Sequence, residues 1–160
     1  MRNESRIRKI LPVDLLLEKR SCLVVGGGPI AARKVGSLLE AGASVTVVSP
    51  VLCPALALLK QERRVKHKPR AFAAADIKAQ CVVFAVTDNG PVNQKVIKAC
   101  RRARILCSAA DAHWVEGDFV SPAVIRRPLV TVAISTGGQS CKRAREIKEK
   151  LARYLAGQKL

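Results

Sequence analysis

CLVVGGGPIAAR, residues 22–33, passes from an apolar run through three consecutive glycines into a helix-compatible segment. Cys22, Leu23, Val24 and Val25 suit a short buried strand, and the alanine- and leucine-rich residues beyond Pro29 suit a helix. Within the stretch, Gly26-x-Gly28-x-x-Ala31 fits the dinucleotide fingerprint G-x-G-x-x-G/A in its required setting, directly after a strand and opening a helix. Gly26 permits the tight turn, Gly28 lets the backbone approach a pyrophosphate, and Ala31 is small enough for close helix–strand packing. The first helical N–H groups and the positive end of the helix dipole then face the phosphates. A plain glycine turn is the competing reading, but a strand, a helix and a second strand in succession favour a nucleotide.

Outward from this stretch, a helix over 29–40 has Ala31, Val35, Leu38 and Leu39 as its core stripe and ends at Ala41-Gly42. Ser44–Val48 (SVTVV) reads as a second strand, 54–62 as a helix and Val65–Lys68 (VKHK) as a short edge strand. His67, alternating there with lysines, is expected at the surface. A loop with a brief helical turn follows over 72–79. Cys81–Thr87 is then a buried parallel strand by its continuous apolar run, and Asp88-Asn89-Gly90-Pro91 launches a helix over 92–103. Ile105–Ala109 is the fifth strand. Beyond Asp111 the pattern changes. Two strand candidates, 119–126 and 129–135, are joined by too few residues for a helical crossover, and a helix over 140–156 ends the pattern. Before the first strand, residues 1–10 read as a polar arm and Leu11–Leu17 as a lead-in packed on the sheet edge. The expected fold class is therefore α/β, a Rossmann-like doubly wound parallel sheet with a C-terminal antiparallel strand pair and a terminal helix. Residues 1–110 are expected to form the dinucleotide-binding part and residues 111–160 the strand pair and helix.

The composition narrows the function. A chain of 160 residues, 49% hydrophobic and 26% charged, can bury a real core, and no apolar run reaches the roughly 18–20 residues of a membrane span. The basic N-terminus lacks a small-residue cleavage site and is not expected to be a signal peptide. Six scattered cysteines form no C-x-x-C and no metal-ligand spacing with histidine, which suits the reducing cytoplasm and gives no reason to expect a structural zinc site. The net charge of +17 attracts polyanions, but aromatic residues at 3% leave few platforms for stacking nucleic-acid bases. An acidic membrane, a small substrate bearing several carboxylates and a plainly solvated surface are the other readings of that field.

Ligands of open α/β sheets lie beyond the carboxyl ends of the strands. At the end of the second strand, where many NAD enzymes carry an acid, this chain has Ser49, Pro50 and Val51. No arginine sits immediately there to welcome a 2′-phosphate, so NAD stays ahead of NADP. Thr87, Asp88 and Asn93 either line the cofactor or serve only as turn and cap. Asp111, after the fifth strand, either accepts a proton as hydride leaves a substrate or forms a turn; His113 has the reach for the same proton chemistry.

The order LPVDLLLEKRSCLVVGGGPIAARKVGSLLEAGASVTVVSP, FAVTDNGPVNQKV, SAADAHWVEGDFVSPAVIRRPLVTVAISTGGQS resembles the precorrin-2 dehydrogenases, the sirohydrochlorin-forming module of siroheme synthesis, some of which also insert iron. The resemblance covers roughly residues 10–156. It implies NAD-dependent removal of two hydrogens from precorrin-2, with Gly26, Gly28, Pro29 and Ile30 on the pyrophosphate and Ser49, Pro50 and Val51 on the adenosine side. It also implies Asp111 as general base, Ser108 and His113 on the substrate side, and the Thr136-Gly137-Gly138 loop near the tetrapyrrole. A polycarboxylate tetrapyrrole makes sense of the positive charge. Family members dimerise through this C-terminal region, so a homodimer is expected with 111–160 on its dimerisation and substrate side. They continue into a further helical domain, so 111–160 reads as truncated and iron insertion is the activity this weakens most. Ser108 and Cys141 depart from the asparagine and proline usual in the family. Two other readings stay open, an NAD-sensing regulatory module and a tetrapyrrole carrier without catalysis.

Overall fold

The computed structural model describes residues 9–110 and 116–157. They fall into two compact units, Asp14–Phe119 and the residues from Val120 onward together with those up to Val13.

In the first unit, β1 (Ser21–Val25), β2 (Ser44–Val48), β3 (Val65–Lys68), β4 (Val82–Ala85) and β5 (Leu106–Ala109) form one parallel sheet in the order β3-β2-β1-β4-β5. The continuous apolar runs are explained by burial on both faces. Cys22 and Val24 pack with Ala31, Val35 and Leu38 of α1 (Pro29–Glu40) and Leu56 of α2 (Pro54–Gln61). Leu23 and Val25 face the other way, onto Val96, Ile97 and Cys100 of α3 (Gly90–Ala103). Burial pushes the Cys22 thiol up to about 11, with the neighbouring Cys81 adding to the effect and outweighing the Val82 backbone and the Arg20 charge, so it stays a neutral thiol. Val25 pairs with Val48 and Ala85, and Ala85 with Ala109, so the central strands end level and their following turns share one edge.

Three expectations are corrected here. The lead-in over 11–17 does not pack as a stretch: Leu11 and Leu16 are exposed and Leu17 alone joins the core. Phe119 does not begin a strand, because its ring meets Phe84 edge-on at 5.5 Å and anchors the chain to the parallel sheet instead. His67 is half-buried, with Nε2 donating to the Ser49 carbonyl at 2.9 Å.

In the second unit, β6 (Ala123–Arg126) and β7 (Thr131–Ile134) pair antiparallel from Ala123↔Ile134 to Arg126↔Thr131. The turn between them closes with Arg127 and Val130 exchanging backbone hydrogen bonds. Helix α4 (Cys141–Ala156) packs on both strands, and the Ser140 hydroxyl caps it by accepting from the Arg143 N–H at 3.1 Å. No helix among the described residues is long and apolar enough to cross a membrane.

Candidate functional site

The three glycines after β1 divide their labour. Gly26 has φ +129°, and a side chain there would place its Cβ 2.6 Å from the Val86 carbonyl oxygen. Gly27, to which sequence reasoning gave no role, is the most crowded: its Cβ would lie 1.9 Å from the Val51 oxygen and 2.6 Å from Ser49 Oγ. Its carbonyl also accepts from Cys53 N–H at 2.7 Å, so the segment after β2 is bolted against it. At Gly28 a Cβ would meet nothing within 4 Å. That glycine is the N-cap of α1; Pro29 follows it, no side chain caps the helix and no acid lies in its first turn. The Gly28, Ile30 and Ala31 N–H groups therefore have no acceptor among the described residues, since the first bond of the helix runs from Ala32 to Gly28. An open glycine face beside an uncapped helix N-terminus fits a pyrophosphate. Ile30 and Val51 are exposed apolar side chains in the same loops.

The segment after β2 is held from three sides. Ser49 is buried, its hydroxyl donates to the Val51 carbonyl at 2.8 Å, and its own carbonyl takes the His67 hydrogen bond. Pro50 and Val51 are left at the surface. Beyond β3, the carboxylate of Asp76, in the short 3-10 turn Ala74–Ile77, accepts from Lys68 Nζ at 2.8 Å, from both terminal nitrogens of Arg70 and from Ala73 N–H. The Arg70 guanidinium, followed by the Lys68 ammonium and the Ala73 amide, holds that carboxyl well below the usual range. Lys68 ends a strand, Arg70 follows it in a loop and Asp76 sits in a 3-10 turn, so no single periodic element links them and the sequence did not reveal the cluster.

At the end of β4, Asn93 is fully buried. Its Oδ1 accepts from Thr87 N–H at 3.1 Å and from Thr87 Oγ1 at 2.8 Å, while its Nδ2 donates to the Thr87 carbonyl at 2.9 Å. Asn89 caps α3 by accepting from Val92 N–H at 3.1 Å. Thr87 and Asn93 thus carry turn and cap duty, and Asp88 is exposed beside them.

Ser108 is buried on β5 opposite Phe84. Asp111 and His113 lie outside the described residues. The chain returns at Asp118, whose N–H donates to the Cys107 carbonyl at 2.8 Å and whose carboxylate accepts from the Cys107 N–H at 2.9 Å. Asp118 is thereby tied to β5. In the second unit, Thr136 Oγ1 accepts from the Ser140 N–H at 3.0 Å, and Gly137 and Gly138 take positive φ to turn the chain into α4.

Residues 13–123 match the family described as "Putative NAD(P)-binding". The siroheme synthase of Thioalkalivibrio sulfidiphilus is 43% identical over 144 residues, which are 90% of this chain and 29% of that protein. The chain thus spans less than a third of that relative's length. The precorrin-2 dehydrogenase of Bacillus subtilis is 31% identical over 148 residues, 92% of this chain and 90% of that protein. Among solved structures, SirC, a precorrin-2 dehydrogenase, superposes with a TM-score of 0.76 at 29% identity, covering 91% of this chain and 71% of that one. A Rossmann-like sheet with its glycine loop in place, followed by an antiparallel pair and a helix, and matched nearly end to end by a relative of the same length class, places the chain in the precorrin-2 dehydrogenase family.

Proposed function

We propose that this protein oxidises precorrin-2 to sirohydrochlorin with NAD⁺ as the oxidant. The observation that carries the reading is the Gly26–Gly28 loop, where an open backbone face meets donors that no side chain satisfies. Gly28 and Ile30 hold the pyrophosphate through their N–H groups. Gly26, whose own N–H donates to the Val48 carbonyl at 3.0 Å, makes the turn that brings the loop to it, and Pro29, having no N–H, presets the first turn of the helix. Ser49, Pro50 and Val51 take the adenosine side, and Thr87 and Asp88 form the opposite wall. Bound there, NAD⁺ supplies the hydride acceptor. Asp111 accepts the proton that leaves the tetrapyrrole with that hydride, so that the products are sirohydrochlorin, NADH and a proton. Ser108, His113, Thr136 and Gly137 contact the substrate, and surface cations steer its carboxylates.

We also infer a cytoplasmic homodimer. All six cysteines are free thiols, as a reducing compartment keeps them. Leu129, Val130 and Tyr154 in the second unit are exposed apolar surface suited to a second copy; sedimentation of the purified protein tests this.

Following NADH absorbance after mixing the protein with precorrin-2 and NAD⁺ tests the reaction. Formation of NADH supports it, whereas NAD⁺ binding without NADH overturns the dehydrogenase and leaves a binding module. Asp111→Ala should lower turnover by about a hundredfold or more while NAD⁺ affinity stays within twofold. Equal loss of both would assign Asp111 a structural role.

A further inference from the structure

The connection from β3 to β4 contains no full helix. Where a doubly wound sheet commonly carries a crossover helix, the chain makes only the single 3-10 turn at Ala74–Ile77. A groove of about 340 Å³ lies between this short connection and the flank of α3, lined by Phe72, Ala74, Lys95, Lys98, Ala99 and Arg102. None of these residues is assigned to the nucleotide.

Lys95, Lys98 and Arg102 are spaced i, i+3, i+7 and so share one helix face. Along the axis they spread over about 10 Å at the helical rise. None has an ion pair among the described residues, and no carboxylate lines the groove. Asp76, on the same connection, is already filled by Lys68 and Arg70. Like charges at i, i+3 and i, i+4 destabilise a helix, so an anion laid along this face relieves a cost that the chain otherwise carries. Phe72, half-buried against the core, and the methyl groups of Ala74 and Ala99 make the remaining walls apolar.

We propose that this groove binds a small organic anion that carries a flat ring and two or more acidic groups. The ring lies against Phe72 and the acidic groups reach along α3 to Lys95, Lys98 and Arg102. The volume is at the lower end of small-molecule sites and suits one such ring with its substituents. Phosphates and carboxylates share this chemistry. The proposal does not depend on the dehydrogenase reading.

Isothermal titration of the full chain, with and without saturating NAD⁺, tests it with ATP and benzenehexacarboxylate as probes and tripolyphosphate as a ringless control. The expected result is one-to-one binding of at least one ringed probe with NAD⁺ present. The tighter probe identifies the acid as phosphate or carboxylate. A Lys98→Ala, Arg102→Ala double variant should weaken that binding by about tenfold or more with NAD⁺ affinity unchanged. Lys95→Ala, a single change at an exposed position, should weaken it in the same direction. The proposal is overturned if neither ringed probe saturates, if the variants bind as the parent does, or if tripolyphosphate binds as tightly as ATP.

Discussion

At Gly27 and Gly28 the same added methyl group should do opposite things. In Gly27→Ala it lands on the Val51 carbonyl at 1.9 Å and forces the segment after β2 away, so the expected loss is in stability, about 2–3 kcal/mol for an overpacked backbone contact. In Gly28→Ala it meets no protein atom and costs less than about 1 kcal/mol as a poorer N-cap, but it stands on the face proposed for the pyrophosphate. NAD⁺ affinity should fall by about tenfold or more while the melting temperature moves little. Parallel melting and NAD⁺ titration of the two variants check the contrast, and a Gly28→Ala protein that binds normally would remove the phosphate from this loop. Asp76 makes a prediction in pH. Because Arg70 and Lys68 lower its folded-state pKa, its stabilisation is complete above the ordinary aspartate value near 3.9 and is lost as pH falls toward the folded value. Asp76→Asn should cost about 2 kcal/mol at pH 7 in urea unfolding, and the gap to the parent should narrow in acid.

At the scale of elements, α3 is aligned by a polar clamp rather than by its apolar face alone. Asn93→Leu keeps the bulk but leaves the Thr87 N–H and carbonyl without their partner, and should cost about 2–3 kcal/mol, read as a lower urea midpoint. The same elements show what a local reading can reach. The spans of β1, α1, β2 and β3 follow from runs, glycines and prolines that lie within a few residues of each other, and the structure places their ends where those signals do. The glycine turn was legible for the same reason. What escaped depends on distant partners. Phe119 belongs by pattern to a strand, yet the Phe84 ring draws it onto the parallel sheet. His67 sits among lysines, yet the Ser49 carbonyl one strand away holds it inward. Asp76 reads as one acid in a loop until β3 brings Lys68 and Arg70 to it. Gly27, the unspecified middle position of G-x-G, gave only one hint, that it too is glycine.

For the whole molecule the net charge of +17 is the property that no single element explains. If the field serves to gather a polycarboxylate, it acts on encounter and binding and leaves the chemical step alone. Screening then separates the roles. The Debye length falls from about 30 Å at 0.01 M salt to about 10 Å at 0.1 M, so cations spread over the surface lose their joint effect in that range. KM for precorrin-2 should therefore rise about tenfold or more with salt while kcat changes less than about twofold. NAD⁺ is the internal control. On the proposed reading its pyrophosphate meets neutral N–H groups at the start of α1 at contact range, where screening is weak, so its affinity should fall much less. Steady-state kinetics across that range, with NAD⁺ binding measured in the same buffers, check the difference. A KM that ignores salt would mean that the cations are a solvated surface and that short-range contacts alone hold the substrate.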